Sequence, residues 1–240
     1  MGQSDRDDGW ATLATLVAHD RGLAADPLPL TADRAVSSLQ VLAEGDETYE
    51  TVSAWLASYV SQPHPDLGRS GPVCPFAAPA LAAGTVFFTA YRFDGEPSLE
   101  RMTRALEEAL RCFQLLAWQE EKVDLASLIV TFPDLAQDDW HLIDDGHRAS
   151  KTRFVEAGCM LGQFHPACEE PAAHNAAFPV NRAPVPLMVI RHIASHDILF
   201  LDEDPNWVEH FGAWLGRRGI SLKNPQYRRR FEQVLRRFAP

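Results

Sequence analysis

Apolar positions along the chain follow two rhythms, a helical one at both ends and an alternation of helix and strand between them. Near the start, Trp10, Leu13, Leu16 and Val17 fall at helical spacing. Val52, Trp55, Leu56, Tyr59 and Val60 then make an i, i+3, i+4, i+7, i+8 stripe that predicts a helix with one buried face. Residues 25–31, with two prolines, read as a connector, and residues 61–72, with three prolines and two glycines, read as an ordered loop.

From Gly84 the rhythm changes. The β-branched and aromatic run 85–93 predicts a buried strand, followed by a turn at Asp94-Gly95. Ser98 is placed to cap a helix whose buried face carries Met102, Leu106, Leu110, Phe113 and Ala117. Residues 125–132 predict a second strand, ended by Pro133. Asp138 or Asp139 is the expected cap of a third helix through Trp140 and Ile143, which Gly146 threatens to interrupt. Residues 159–164 and 187–193 are short apolar strands separated by a long irregular loop. Asp204-Pro205 and Asn224-Pro225 each pair a cap residue with proline at the first helical position. The two helices they open are expected to bury Trp207, Val208, Phe211, Trp214 and Leu215, and Tyr227, Phe231, Val234, Leu235 and Phe238. The order β-α-β-α-β-β flanked by helices predicts an α+β fold with a mixed sheet of about four or more strands. One domain over 1–240 is expected, with a helical region at 1–62, a core at 70–215 and a basic helix at 217–240. No G-x-G-x-x-G follows the first strand, which argues against a doubly wound dinucleotide fold.

Charge narrows the partners. The 240 residues carry 22 basic against 33 acidic side chains, a net charge of −11, and an acidic protein is a poor partner for nucleic acid. The basic end, with eight lysines and arginines against Glu232 after position 216, has an acidic body on the same chain to neutralise it. No apolar run is long enough to span a bilayer and the first ten residues are polar and acidic, so a cytoplasmic protein without a membrane partner is expected. The four cysteines are too sparse for a disulfide framework and are expected as thiols. A homodimer is compatible with the sequence.

Two loops attached to predicted strands hold residues that a plain core does not need. In GPVCPFAAPAL (71–81), Cys74 precedes Pro75, which has no N–H to offer the sulfur, so the thiolate is either available to a soft metal such as haem iron or simply an inert buried cysteine. The segment 162–196 gathers His165, His174, His192 and His196 with Cys168, Arg182 and Arg191. His165 leaves a strand and is followed by proline, a common place for a ligand or base. His165, Cys168 and His174 suggest part of a zinc site, but the companion motifs of known zinc sites are missing. Arg191 interrupts an apolar strand and needs a partner, either a structural carboxylate or an anionic ligand. Asp138-Asp139 and Asp144-Asp145 read as solvated helix acids. No G-x-S-x-G or Walker-type loop is present.

The stretch CPFAAPALAAGTVFF, followed at long range by MLGQFHPACEEPAAHNAAFPVNRAPVPLMVIRH and DILFL, resembles a bacterial domain-of-unknown-function family common in actinobacteria and often encoded near natural-product genes. The Cys-x-Phe-Ala-x-Pro-Ala-Leu arrangement before a strand also resembles the YqcI/YcgG-type haem proteins, which include haem-dependent arginine N-hydroxylases. That resemblance implies a haem pocket walled by Cys74, Pro75 and Phe76, with His165 as the iron ligand and Cys74 as the alternative. Arg191 or Arg182 would then hold a substrate carboxylate or haem propionate. The expected function is a haem-dependent oxidoreductase that oxygenates an amino-acid-like small molecule in secondary metabolism. Two rivals stand beside it: a haem-free enzyme using His165 and His192 as acid and base or using a metal, and a non-catalytic binding protein.

Overall fold

The computed structural model describes residues 39–93, 95–115 and 120–238; the helix and connector expected before residue 39 lie outside the described residues. Five strands, β1 (Leu39–Val41), β2 (Val86–Tyr91), β3 (Ser127–Thr131), β4 (Cys159–Phe164) and β7 (Leu187–His192), form one mixed sheet in the order β1-β2-β3-β7-β4. Only β2 and β3 run parallel; β1 on β2, β7 on β3 and β4 on β7 are antiparallel. Two further strands, β5 (Pro171–Ala172) and β6 (Asn175–Pro179), make a separate hairpin inside the long loop. The fold is α+β, with the expected strands in the expected order.

Seven α-helices are described: α1 (Glu47–Trp55), α2 (Ala77–Ala83), α3 (Leu99–Leu115), α4 (His141–Glu156), α5 (Ile198–Leu201), α6 (Pro205–Arg217) and α7 (Pro225–Phe238). The alternation of side chains along each strand divides the sheet into two apolar faces. Leu128, Val130, Met188, Ile190 and Leu161 face α3 and α4, meeting Met102, Leu106, Phe113, Ile143 and Phe154. Phe88, Ala90, Ile129 and Leu187 face the other way, onto Val52 of α1 and Leu56 and Val60 of the π-helical turn that continues it. A third cluster, with Val155, Met160, Ile193, Ile198 and Phe211, seats α5 and α6 at the end of the sheet, and α7 packs against it through Phe231.

Local departures from the sequence reading have physical causes. Helix α4 continues through Gly146 to Glu156 because the glycine lets two helices touch; a Cβ there would sit 2.4 Å from Met102 Cγ on α3. Asp138 and Asp139 occupy a preceding 3₁₀ turn and do not cap α4. At the start of α3, Ser98 does supply the expected cap contact, its hydroxyl accepting from the Arg101 N–H at 3.3 Å. Asp204 and Asn224 accept from the N–H groups of Asn206 and Gln226, each at 2.8 Å. Of the terminal stripes, Val208, Phe211, Leu215 and Val234 are buried, Trp207, Trp214, Tyr227 and Phe231 are half-buried, and Leu235 faces solvent at 46% exposure. Helix α7 packs mainly on α6 and α5, and its buried stripe is narrower than the sequence implies. Its basic side chains are partly consumed internally, Arg230 on the Asp202 carboxylate and Arg237 on the Asp202 carbonyl.

The turn between α4 and β4 depends on Gly158. Its φ of +74° favours glycine, and an added Cβ would lie 2.2 Å from the Trp214 ring of α6. Gly158→Ala is therefore expected to lower stability by about 3 kcal/mol, combining left-handed strain with overpacking. Urea unfolding should show this as a lower midpoint at unchanged slope.

Candidate functional site

The α1-facing side of the sheet carries a cavity of about 570 Å³. Val86, Ile129, Val189 and Phe164 form its apolar floor, the 71–81 loop and α2 form one wall, and the β5–β6 hairpin and residues 180–181 form another. The two loops singled out in the sequence therefore meet around one space. Several bonds hold them there. At the end of α1 the chain winds into a π-helical turn, Leu56–Val60, whose terminal Val60 carbonyl accepts the Cys74 N–H at 2.8 Å. Trp55 Nε1 donates to the Arg182 carbonyl at 3.2 Å, and the Tyr59 hydroxyl donates to the Val180 carbonyl at 2.9 Å. The aromatic stripe of α1 thus packs the core with its rings and pins the long loop with its polar ends. Asn175 of the hairpin donates to the Asp66 carbonyl at 2.7 Å.

Cys74 and Pro75 line the cavity beside Phe76, whose ring stacks on His196 at 5.1 Å and lies 5.5 Å from the Arg191 guanidinium. Arg191 is held in turn by Asp197 through two bonds of 2.7 and 2.6 Å, and its Nη1 also donates to the His192 carbonyl. The structural-carboxylate reading of Arg191 is the one the geometry realises. Burial opposes charge on both partners, but their pairing outweighs it, lowering the Asp197 carboxyl and raising the Arg191 guanidinium from their ordinary values. The guanidinium still borders the cavity.

The remaining candidates lie elsewhere. His165 is buried at 4% exposure, and its Nε2 meets Asp144 of α4 at 3.1 Å. It occupies the same side of the β4 strand line as Leu161 and Gln163, the α4 side, whereas Cys74 packs with the α1-facing cluster. His165 and Cys74 thus lie on opposite faces of the sheet and share no site. His192 also points to the helical face, between Phe113 and Trp214 at 4.9 and 5.3 Å, and burial lowers its pKa. It is separated from Arg191, the preceding residue, by the strand pleat. Arg182 donates from Nε to the Cys168 carbonyl at 3.4 Å and borders a shallow surface hollow with Trp55 and Tyr59.

A family model matches residues 49–226, most of the chain. The chain belongs to the family described as Domain of unknown function (DUF6875). Neither a curated protein nor a solved structure matches it. The matched span of this DUF6875 chain begins inside α1 and ends at the start of α7, so it contains β2, β3, β4, β7 and every cavity residue named above.

The cavity continues round the free edge of β4 to the α4 side, and it takes in residues that sequence reasoning passes over: Arg69, His147, Lys151 and Glu170. His147 Nε2 lies 3.1 Å from the Leu161 carbonyl, which can only accept, so the N–H is there and Nδ1 keeps the lone pair. Burial, helped by Lys151, lowers the His147 pKa to about 4, leaving a neutral imidazole at pH 7. Burial raises the Glu170 carboxyl, which accepts from Gln163 at 3.2 Å. For His147 and Lys151 the sequence does hold a signal, since with Asp144 they recur at i, i+3 and i+7 along one polar edge of a helix; Arg69 and Glu170 have none.

Two consequences are measurable. Asp197→Ala leaves a half-buried arginine unpaired and is expected to cost about 3–5 kcal/mol in chemical unfolding. Because His147 is neutral when folded and protonates when unfolded, the unfolded chain binds more protons between pH 6.5 and pH 4. Stability should fall as pH drops through that window, by roughly 3 kcal/mol from His147, and the His147→Gln difference in pH-dependent unfolding should report that share.

Proposed function

We propose that this chain is a haem-dependent oxidoreductase acting on a small, amino-acid-like molecule, with the prosthetic group in the cavity and Cys74 as its protein ligand. The observation that carries the reading is the cavity itself. Its volume lies in the range of small-molecule and cofactor sites, its floor is apolar, and its lining includes the Cys74 thiol and the Asp197-paired Arg191 guanidinium. The likeness of the Cys74 to Leu81 stretch to YqcI/YcgG-type haem proteins supports the same choice of group, and the likeness to an actinobacterial family encoded near natural-product genes supports secondary metabolism as its setting.

The fit is uneven among the residues first considered. His165 does not fit as ligand, since it does not line the cavity and its Nε2 is engaged by Asp144. Cys74 fits, because it lines the cavity and Pro75 offers the sulfur no N–H. Haem would supply oxygen activation and electron transfer. The chain's own part is to exclude water with Ile129, Val189 and Phe164 and to place positive charge from Arg69 and Lys151 at the margin for carboxylates. His147 Nδ1 is a neutral acceptor available to take a substrate proton.

That last feature also favours a haem-free reading, in which His147 and Glu170 act as base and acid on a substrate in the same cavity. Titration of the purified protein with haemin separates the two. The expected result is saturable 1:1 binding with a Soret band, weakened at least about tenfold in Cys74→Ala and unchanged in His165→Ala. Absence of saturable binding would overturn the haem reading in favour of the acid–base one. Binding indifferent to Cys74→Ala would remove Cys74 as ligand.

A further inference from the structure

A second constellation lies on the opposite side of the sheet from the cavity floor. Residues 165–168 form a tight turn in which the Cys168 N–H donates to the His165 carbonyl at 3.0 Å, with Pro166 at its second position. The turn brings the His165 ring and the Cys168 thiol to the same side, facing Asp144 of α4. One ligand atom from each of Asp144, His165 and Cys168 lies within 4.8 Å of the other two. Cys168 is 1% exposed and His165 4%, while the Asp144 side chain reaches solvent.

The His165 imidazole is only half satisfied. Its Nε2 faces the Asp144 carboxylate, and its Nδ1 is buried with no hydrogen-bond partner among the described residues. Because Asp144 faces Nε2, a cation shared by these two residues would bind Nε2 and leave the ring proton on Nδ1; what favours an ion here is the convergence of the three ligand atoms. The donor set also points to a class of ion. A thiolate, an imidazole and a carboxylate together suit a borderline-soft divalent cation, and the short bonds zinc makes to sulfur, nitrogen and oxygen require the three groups to converge.

We propose that Asp144, His165 and Cys168 bind one zinc ion. Binding transfers the Cys168 proton to solvent and leaves the sulfur as a thiolate ligand, with no change of oxidation state. Three protein ligands leave the fourth position to water, on the side where Asp144 meets solvent. The ion clamps the turn at 165–168 to α4. The segment that follows this turn carries the β5–β6 hairpin and residues 180–181, a wall of the cavity, so the metal steadies that wall from behind. The proposal is independent of the haem reading, since neither Cys74 nor the cavity floor takes part.

Full-length protein purified from zinc-supplemented cells should carry one zinc per chain by elemental analysis. Its removal by a chelator should lower the thermal midpoint by more than about 5 °C, since a ligand bound only to the folded state stabilises that state. Substitution of wild-type protein with Co²⁺ should produce a thiolate-to-metal charge-transfer band that is lost in Cys168→Ala and kept in Cys74→Ala. Asp144→Asn, on the solvent side of the site, gives a second variant if Cys168→Ala fails to fold, and should weaken zinc at least about tenfold. Wild-type protein that takes up neither zinc nor cobalt stoichiometrically, a cobalt spectrum without a thiolate band, or a band that survives Cys168→Ala would each overturn the assignment. A Soret band has no bearing on any of these readings.

Discussion

Arg191 and Asp197 are joined by two short charge-assisted bonds at a junction where three parts of the molecule meet. Arg191 belongs to β7, the strand between β3 and β4. Asp197, fully buried, sits in the 3₁₀ turn that starts the C-terminal block and also accepts the Ala194 N–H at 2.7 Å. Phe76 of the Cys74 loop lies against both the guanidinium and His196. A paired charge inside a protein gains little net stability over apolar packing, but breaking the pair is expensive. Its effect here is to make the positions of the sheet, the terminal helices and the Cys74 loop depend on one another.

The cavity exists because the α1-facing side of the sheet is incompletely covered. On the other side α3 and α4 approach closely enough for Gly146 to touch Met102, and the space is filled by Phe113, Phe132 and Phe154. On the cavity side α1 covers one part, and the rest is roofed by loops pinned through Trp55, Tyr59 and Asn175. Loops bridge a sheet without filling the space beneath, which is why binding sites gather there. The proposed metal cluster occupies the helical side, where β4 is an edge strand and α4 can send Asp144 past it to the turn.

The helical stripe at 52–60, the strands near 86–91, 127–131, 159–164 and 187–192, and the two Pro-initiated terminal helices were all legible from period and capping residues. Those signals are local: a stripe or a run of β-branched residues constrains its own segment. Strand β1 has three residues and β5 two, too few to express a period, and so they were missed. Leu235 was placed in a buried stripe because apolar spacing cannot say how wide a surface the neighbouring helices offer.

Chemically unusual residues are visible in the chain itself: Cys74 before Pro75, His165 before Pro166, Arg191 inside an apolar strand. The sequence also determined that the Cys74 loop and the long histidine-rich loop were the places to look. Tertiary structure alone decided the groupings. Adjacent residues on a strand point to opposite faces, so Arg191 borders the cavity while His192 stacks between Phe113 and Trp214. The sequence groups His165 with Cys74 because both lie in loops attached to strands, yet the pleat puts His165 with Asp144, whose sequence context suggests a solvated helix acid. Which side of a sheet a loop residue meets depends on strand order and register, and these are set by contacts between segments far apart in the chain, which no local pattern records.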